Sequence, residues 1–497
     1  MALAHVLGVP RIGPNRELKF AQEAFWRGEI DEAALKAVAS GIRQANWQRQ
    51  HAAGLDCVTV GDFAFYDQML NHVALLGCAP ARFGFGEARG LSEYFQLARG
   101  NADCHAMEMT KWFDTNYHYL VPEFNPDTVF SLGTDWLFDE VAEAQTAGFN
   151  AKPVLIGPLS FLWLGKEKTA GFNRLDLLDR LLPVYAQILT RLKAQGVEWV
   201  QIDEPILALD LPADWRIAFE RAYHALNSAG MKLLHASYFG PLRENLLVAL
   251  KLPVAGVHID CVHGGEELAQ VIDWLPATKV LSVGVIDGRN IWKTDLAAVI
   301  DRFDGLHQRL ADRLWLAPSC SLLHVPASLA GETRLDAELK SWLAYADEKL
   351  PHWPPLKPPS TRGARPWQPN WLTTRRRWYR VAPRPGCTTP QWGYGSPHCR
   401  RCMTCATIRS RFVRRRNVRA STCRLFPPQP SVRFRRLAKF AAPARALKRA
   451  NSARPTTPPR CSARSAPPFP NRKPWDSTCW CMAKPSATTW SNTSASN

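Results

Sequence analysis

The residues best suited to chemistry stand near the start of the chain, in PNRELKFAQEAFW. Arg16 and Lys19 are three apart. A helix capped by Asn15 would hold both cations on one face beside its N-terminus. Free main-chain N–H groups, the positive helix end and two cations together make a site for anions. An ordinary solvated charged turn is the plainer alternative. A further cation, Lys111, lies in TKWFDTNYHYLVPEF among Trp112, Phe113, Tyr117 and Tyr119. A flat ring could stack on such aromatics while carboxylates meet the lysine; equally, the aromatics could simply fill a core.

Other polar residues follow short apolar runs: Asp62, Asp203-Glu204-Pro205, His258 with Asp260 and His263, Asp287-Gly288-Arg289-Asn290, and Ser319-Cys320-Ser321 with His324. For each one a helix cap or loop anchor is the plain reading. His258, Asp260 and His263 have a spacing that could ligate a metal, although the pattern is a weak one. Cys320 near His324 invites a thiol nucleophile, against a buried structural cysteine. Asp203 and Glu204 are neighbours in a strand, so they point to opposite faces and cannot pair unless the chain turns there.

The elements that must position these residues alternate. Apolar runs occur in CVTVGDFA, KPVLIGPL, EWVQIDEP, KLLHASYF, GVHIDCV, KVLSVGVID and LWLAPSC. Each is short, rich in Val, Ile and Leu, and reads as a strand buried on both faces. Helical patterns lie between them, with Asp31 and Asn173 as N-caps and Gly196 at a C-terminus. Alternation over this length predicts parallel strands with right-handed crossovers, and a (β/α)8 barrel over residues 1–350 fits best. No Gly-rich phosphate loop follows any strand, which argues against a nucleotide-binding open sheet. No apolar run is long enough for a membrane span, and MALAHVLGVPRIG is a poor signal peptide. Five scattered cysteines in residues 1–350 suit a reducing cytoplasm.

Charge divides the chain in two. The net charge is +18, yet residues 351–497 hold 30 of the 62 Lys and Arg and one acid, Asp476. They therefore carry +29, and residues 1–350 carry −11. The basic balance is not a domain surface, and it excludes reading the whole protein as a nucleic-acid binder from its average charge.

LGVPRIGPNRELKFAQE, VGDFAFYD, EMTKWFDTNYHYLVPEF, KPVLIGPLSFLWLGK, EWVQIDEP, GRNIW, SCSLLHVP and ETRLDAELKSW occur in this order. Together they resemble the N-terminal half of cobalamin-independent methionine synthase, almost continuously over residues 5–350. The resemblance implies two face-to-face (β/α)8 barrels in the family. It implies transfer of the N5-methyl group of 5-methyltetrahydropteroyl-polyglutamate to homocysteine, with a zinc ion that activates the sulfur and no cobalamin. It implies that Arg16, Glu17, Leu18, Lys19 and Lys111 contact the folate, the cations meeting its glutamate tail. The zinc ligands, the homocysteine pocket and the proton-donating histidine belong to the family's second barrel.

Residues 351–497 break that resemblance. Their basic residues with interspersed Trp and Tyr could suggest a nucleic-acid tail. Cys399, Cys402 and Cys405 beside His398 could suggest a metal motif. Their composition is also that of a GC-rich gene read out of frame. In a shifted frame Trp475-Asp476 forces Gly, Trp480-Cys481 forces Val and Met482-Ala483 forces Gly. The junctions around them permit a segment similar to the family's second barrel. The same shift from Leu425 permits a segment similar to that barrel's opening. Residues 351–497 are therefore expected to be out of frame, Pro/Arg-rich and largely disordered. The chain as written would lack the zinc ligands and would not catalyse the reaction. No specific nucleic acid is expected as a partner. The chain is expected to be a monomer, or aggregation-prone through an apolar face left without its partner barrel.

Overall fold

The computed structural model describes residues 3–85 and 90–352; Cys399, Cys402, Cys405 and the rest of 353–497 lie outside the described residues. Twelve strands occur in the described residues. They are β1 (Leu3–Ala4), β2 (Val58–Val60), β3 (Met109–Lys111), β4 (His118–Leu120), β5 (Glu123–Phe124), β6 (Ala151–Ile156), β7 (Lys166–Glu167), β8 (Trp199–Asp203), β9 (Lys232–Ala236), β10 (Gly256–Asp260), β11 (Val280–Ile286) and β12 (Leu314–Pro318). Eight form one sheet in the order β1-β12-β11-β10-β9-β8-β6-β2, and every pairing in it is parallel. Its edges meet: the Asp56 amide donates to the Ala4 carbonyl at 3.0 Å, and the Asp56 carboxylate accepts from the Ala4 amide at 2.7 Å. The sheet is thus closed on itself, as the alternation predicts. Seven strands fall on the expected apolar runs. The eighth, β1, is two residues long and carried no signal of its own; pairing with β12 makes it a strand.

Helices wrap the outside: α1 (Glu17–Trp26), α2 (Glu32–Ala52), α3 (Gln68–Leu75), α4 (Leu91–Arg99), α5 (Trp136–Thr146), α6 (Pro158–Trp163), α7 (Leu178–Ala194), α8 (Ala213–Asn227), α9 (Leu246–Lys251), α10 (Leu268–Trp274) and α11 (Leu296–Leu310). Their cover explains why β6 and β10 are buried at every position. Asp31 caps α2 as expected, accepting from the Ala34 amide at 2.8 Å. Asn173 caps a short 3-10 turn, Arg174–Leu177, that leads into α7. Gly196 follows α7 with φ 80°, a conformation that a side chain would disfavour. Among the described residues no helix is long and apolar enough to cross a membrane.

The barrel interior is layered. Trp199 and Trp315 meet edge to face at its floor, 4.6 Å between ring centres. Above them lies a polar layer. The Lys152 ammonium donates across the barrel to the Val6 carbonyl at 3.1 Å and also to Gln201. Ser282 Oγ stands 2.8 Å from both His5 Nε2 and His258 Nδ1. Leu7, Ala236, Tyr238, Ala317 and Cys320 close the upper layer. Such filling makes the barrel a packed core rather than a pore. Burial pushes His258 down to about 4 and lowers Lys152 from its ordinary value.

Candidate functional site

The turn before α1 differs from the expected one. Arg16, not Asn15, occupies the N-cap, with a left-handed backbone at φ 64° and no side-chain cap. The physical reason lies in Glu17. Its carboxylate accepts from the Asn15 amide at 3.0 Å and from Asn15 Nδ2 at 3.1 Å, so the Asn15 side chain serves Glu17 instead of the helix. Arg16 consequently stands just outside the helix with its side chain exposed. Lys19 lies within it and pairs with Glu23 at 3.7 Å. Leu18 is fully buried in the core, so only its main chain could face a ligand. The helix start, an exposed guanidinium and a second cation one turn on remain together.

Lys111 ends β3 and is exposed. β3 and β4 form an antiparallel hairpin in which Lys111 faces His118. Of the aromatics beside it, Trp112 and Tyr119 are buried in the main core and meet edge to face at 5.4 Å. Core packing claims those two rings; Phe113 and Tyr117 stay partly exposed.

One loop, residues 61–68 after β2, receives both basic segments. From the first segment, buried Arg11 donates to the Ala64 carbonyl at 3.1 Å and to the Phe65 carbonyl at 3.3 Å. Gln22 of α1 also donates to the Phe65 carbonyl. From the hairpin, Tyr117 Oη accepts from the Gln68 amide at 2.9 Å, and the Leu120 amide donates to Asp67 at 3.2 Å. Asp67 also caps α3 through the Leu70 amide at 2.8 Å. Burial pushes its carboxyl up to about 7, against the opposing pull of these amides and of the Arg11 charge. Arg11 and Asp67 were not singled out in the sequence. The only signal was polarity inside otherwise apolar segments.

At the C-terminal mouth of the barrel, Asp62, Asp203, Gln68, Tyr238, Ser321 and His324 surround a small cavity that Trp112 and Tyr117 roof. Asp203 accepts from Gln201 Nε2 at 2.7 Å and from the Tyr238 hydroxyl at 3.1 Å, and burial pushes it up to about 7. Glu204 turns the other way. It accepts the Ser160 amide at 2.7 Å and the Leu159 amide at 3.2 Å at the start of α6, and the Tyr223 hydroxyl at 3.3 Å. The two neighbouring acids diverge, as a strand requires. Gly157 makes this approach possible, because a Cβ there would collide with the Glu204 carboxylate.

The remaining strand-end residues act as anchors. Asp260 accepts from the amides of Phe239, Val262 and His263, and from His263 Nδ1 at 2.9 Å. Asp287 accepts from the amides of Arg289 and Asn290. His258 serves Ser282. Among the described residues no three His, Cys, Asp or Glu side chains are grouped to hold a metal, so His258, Asp260 and His263 do not form the alternative metal centre. Cys320 is wholly buried, and burial raises its thiol well above the ordinary range, which suits structure and not nucleophilic attack.

Comparison with known proteins sets this geometry in a family. The model of the cobalamin-independent synthase N-terminal domain matches residues 3–311. The chain belongs to the cobalamin-independent methionine synthase family. A curated relative, the 5-methyltetrahydropteroyltriglutamate–homocysteine methyltransferase of Paraburkholderia xenovorans (strain LB400), is 56% identical over 351 residues. The match takes in 70% of this chain and 46% of that protein, so the chain spans about half the length of that relative. Among solved structures, a putative vitamin-B12-independent methionine synthase from Listeria monocytogenes is 16% identical, with a TM-score of 0.47 over 72% of this chain and 98% of that one. A B12-independent methionine synthase from Shewanella sp. W3-18-1, in complex with selenomethionine, is 15% identical, with a TM-score of 0.48 over 70% and 94%. The family needs no cobalamin by its own description.

Proposed function

We propose that residues 1–350 are the folate-side barrel of an enzyme that moves the N5-methyl group of a 5-methyltetrahydropteroyl polyglutamate to homocysteine. The observation that carries this reading is the family match, which runs through both basic segments. Arg16 and Lys19, at the start of α1, and Lys111, on the hairpin, meet the carboxylates of the glutamate tail. The Arg16 to Lys19 main chain, with Glu17 holding the turn, completes the contact. An extended polyanion suits separated cations at a helix start, because each carboxylate gains one charge-assisted contact while staying largely hydrated.

Zinc in such an enzyme would lower the pKa of the homocysteine thiol. The described residues do not fit a zinc ion, since none of their potential ligands are grouped. We seat no homocysteine activation in the described barrel, and we expect the chain to bind folate without turnover. Residues 351–497 are read as out-of-frame sequence. The nucleotide sequence around codons 340–360 tests that point, and an uninterrupted frame in register with the family would overturn it. We expect the barrel in the cytoplasm, where its five cysteines, Cys57, Cys78, Cys104, Cys261 and Cys320, would stay reduced.

Titration of the full chain with tri- and monoglutamyl 5-methyltetrahydrofolate tests the function. Tighter binding of the triglutamate, weakened by Lys111→Ala and by Arg16→Ala, is expected. Equal affinity for the two forms would sink the reading, and methyl transfer with bound zinc would sink the claim of inactivity. A folate-binding protein with a basic nucleic-acid tail is the alternative; a steep salt dependence of RNA or DNA binding, lost on removing 351–497, would favour it, whereas weak non-specific binding would not.

A further inference from the structure

The hairpin that carries Lys111 is pinned to the far wall of the barrel mouth. The Asp114 carboxylate at its tip pairs with Arg289 at 2.9 Å. The Arg289 guanidinium also covers the Phe239 ring at 5.0 Å, and Phe239 meets Phe113 at 5.5 Å. Phe113 and Phe239 both hold left-handed backbones, at φ 52° and 82°. Bulky residues keep such conformations only where their surroundings over-determine them. The turn that presents Arg289 is itself fixed. Asp287 accepts the Arg289 amide at 2.7 Å and the Asn290 amide at 3.0 Å, and Lys349 donates to the Asp287 carbonyl and to Asn290 Oδ1. Inside the hairpin, the Trp112 amide donates to the Tyr117 carbonyl at 2.7 Å, directly after Lys111.

The geometry points to Arg289 as a positioning residue for polyglutamate binding: its pairing with Asp114 and its stacking on Phe239 hold the β3–β4 hairpin so that Lys111 stands where the tail of the folate passes. This inference rests on the proposed role of Lys111. It also gives a use to GRNIW, a motif the folate contacts leave unexplained. Asp114 is largely exposed and Arg289 much less so. The ion pair alone is therefore modest, and the stacked rings supply the rest of the hold.

The test is the ratio of triglutamate to monoglutamate affinity, measured on the full chain with thermal unfolding as a control for folding. Asp114→Asn, a mild change at an exposed site, and Arg289→Gln are each expected to lower that ratio severalfold, on the order of one exposed ion-pair contact. Monoglutamate affinity should stay unchanged. In Lys111→Ala the further change Arg289→Gln should add nothing, because the cation being positioned is gone. The exchange Asp114→Arg with Arg289→Asp should recover part of the ratio. Loss with Lys111→Ala but none with Arg289→Gln or Asp114→Asn overturns the positioning role alone, as does full additivity of Lys111→Ala and Arg289→Gln. No loss with Lys111→Ala overturns the folate reading of that lysine, and the positioning role falls with it.

Discussion

Single buried groups in this barrel carry consequences that can be measured one at a time. Asp203 binds its proton more tightly in the folded chain than in an unfolded one, because burial pushes it up to about 7. A group raised on folding adds stability at low pH and loses it as pH rises through the folded value. Asp203→Asn removes that dependence. Its stability relative to the parent should therefore climb between about pH 4 and 7 and then level off, as urea unfolding across that range would reveal; a flat difference would contradict the assignment. Glu204 is pushed up to about 7 as well, by burial, and its hydrogen bonds can be tested separately. Its carboxylate is the acceptor for two buried amides and a tyrosine hydroxyl. Glu204→Ala would strand those donors, at a cost of about 3 kcal/mol by the usual penalty for unsatisfied buried groups. A loss under 1 kcal/mol, by the same scale, would mean that water replaces the carboxylate.

Elements show how local rules met tertiary demands. Asp31 behaves as its type suggests, and Asp31→Ala should cost about 1 kcal/mol of stability, read from a chemical denaturation midpoint. Asn15 does not, because the neighbouring Glu17 captures its side chain and passes the cap position to Arg16. The hairpin is the other telling element. TKWFDTNYHYL announces aromatics and a cation, but nothing in it says that Trp112 and Tyr119 enter the core while Phe113 crosses to Phe239. That outcome needs residues more than a hundred positions away. A peptide pattern cannot display such a contact, since periodicity reports only which face is apolar.

Among the described residues the sheet closes where its edges, β1 and the start of β2, meet through Asp56 and Ala4, so the eight strands of the barrel lie within residues 3–318. Removing 353–497 should leave its cooperative unfolding in place, checked by calorimetry on the shortened chain; loss of the transition would show that the barrel needs the tail. Trp292 and Trp342 are each about half exposed, at 52% and 54%, in two segments that the Trp292–Leu343 bridge joins. Exposed rings of this size favour association. Replacing both with Gln should raise the monomer fraction in sedimentation at fixed concentration. Acid behaviour also belongs to this scale. Buried His72, His258 and His352 are pushed down to about 4, and His235 and His324 to about 3. Their contribution is whole above about 6.5 and is lost as pH falls through those values. Asp67, Glu140, Asp203 and Glu204, raised to about 7, act in the other direction down to about pH 4. The two sets largely offset each other between about pH 4 and 6.5, and between about 4 and 3 only His235 and His324 still lose stability, so unfolding should steepen in that narrow window; a steep loss already at about pH 6 would contradict this balance.

Seven of the eight barrel strands, the family and the cations Arg16, Lys19 and Lys111 could be read from the chain alone. Buried parallel strands are continuous apolar runs, and family segments keep their order, so both survive in one dimension. The divided charge was equally visible there, because composition needs no fold. What only the tertiary structure decided is which side chains meet. It joined β1 to β12, sent Asp203 into the mouth and Glu204 to a helix start, and set both basic segments on the loop 61–68. It also brought Arg289 to Asp114 across 175 positions of sequence. Contacts of that span follow from closing the barrel, and the closure is a property of all eight strands together.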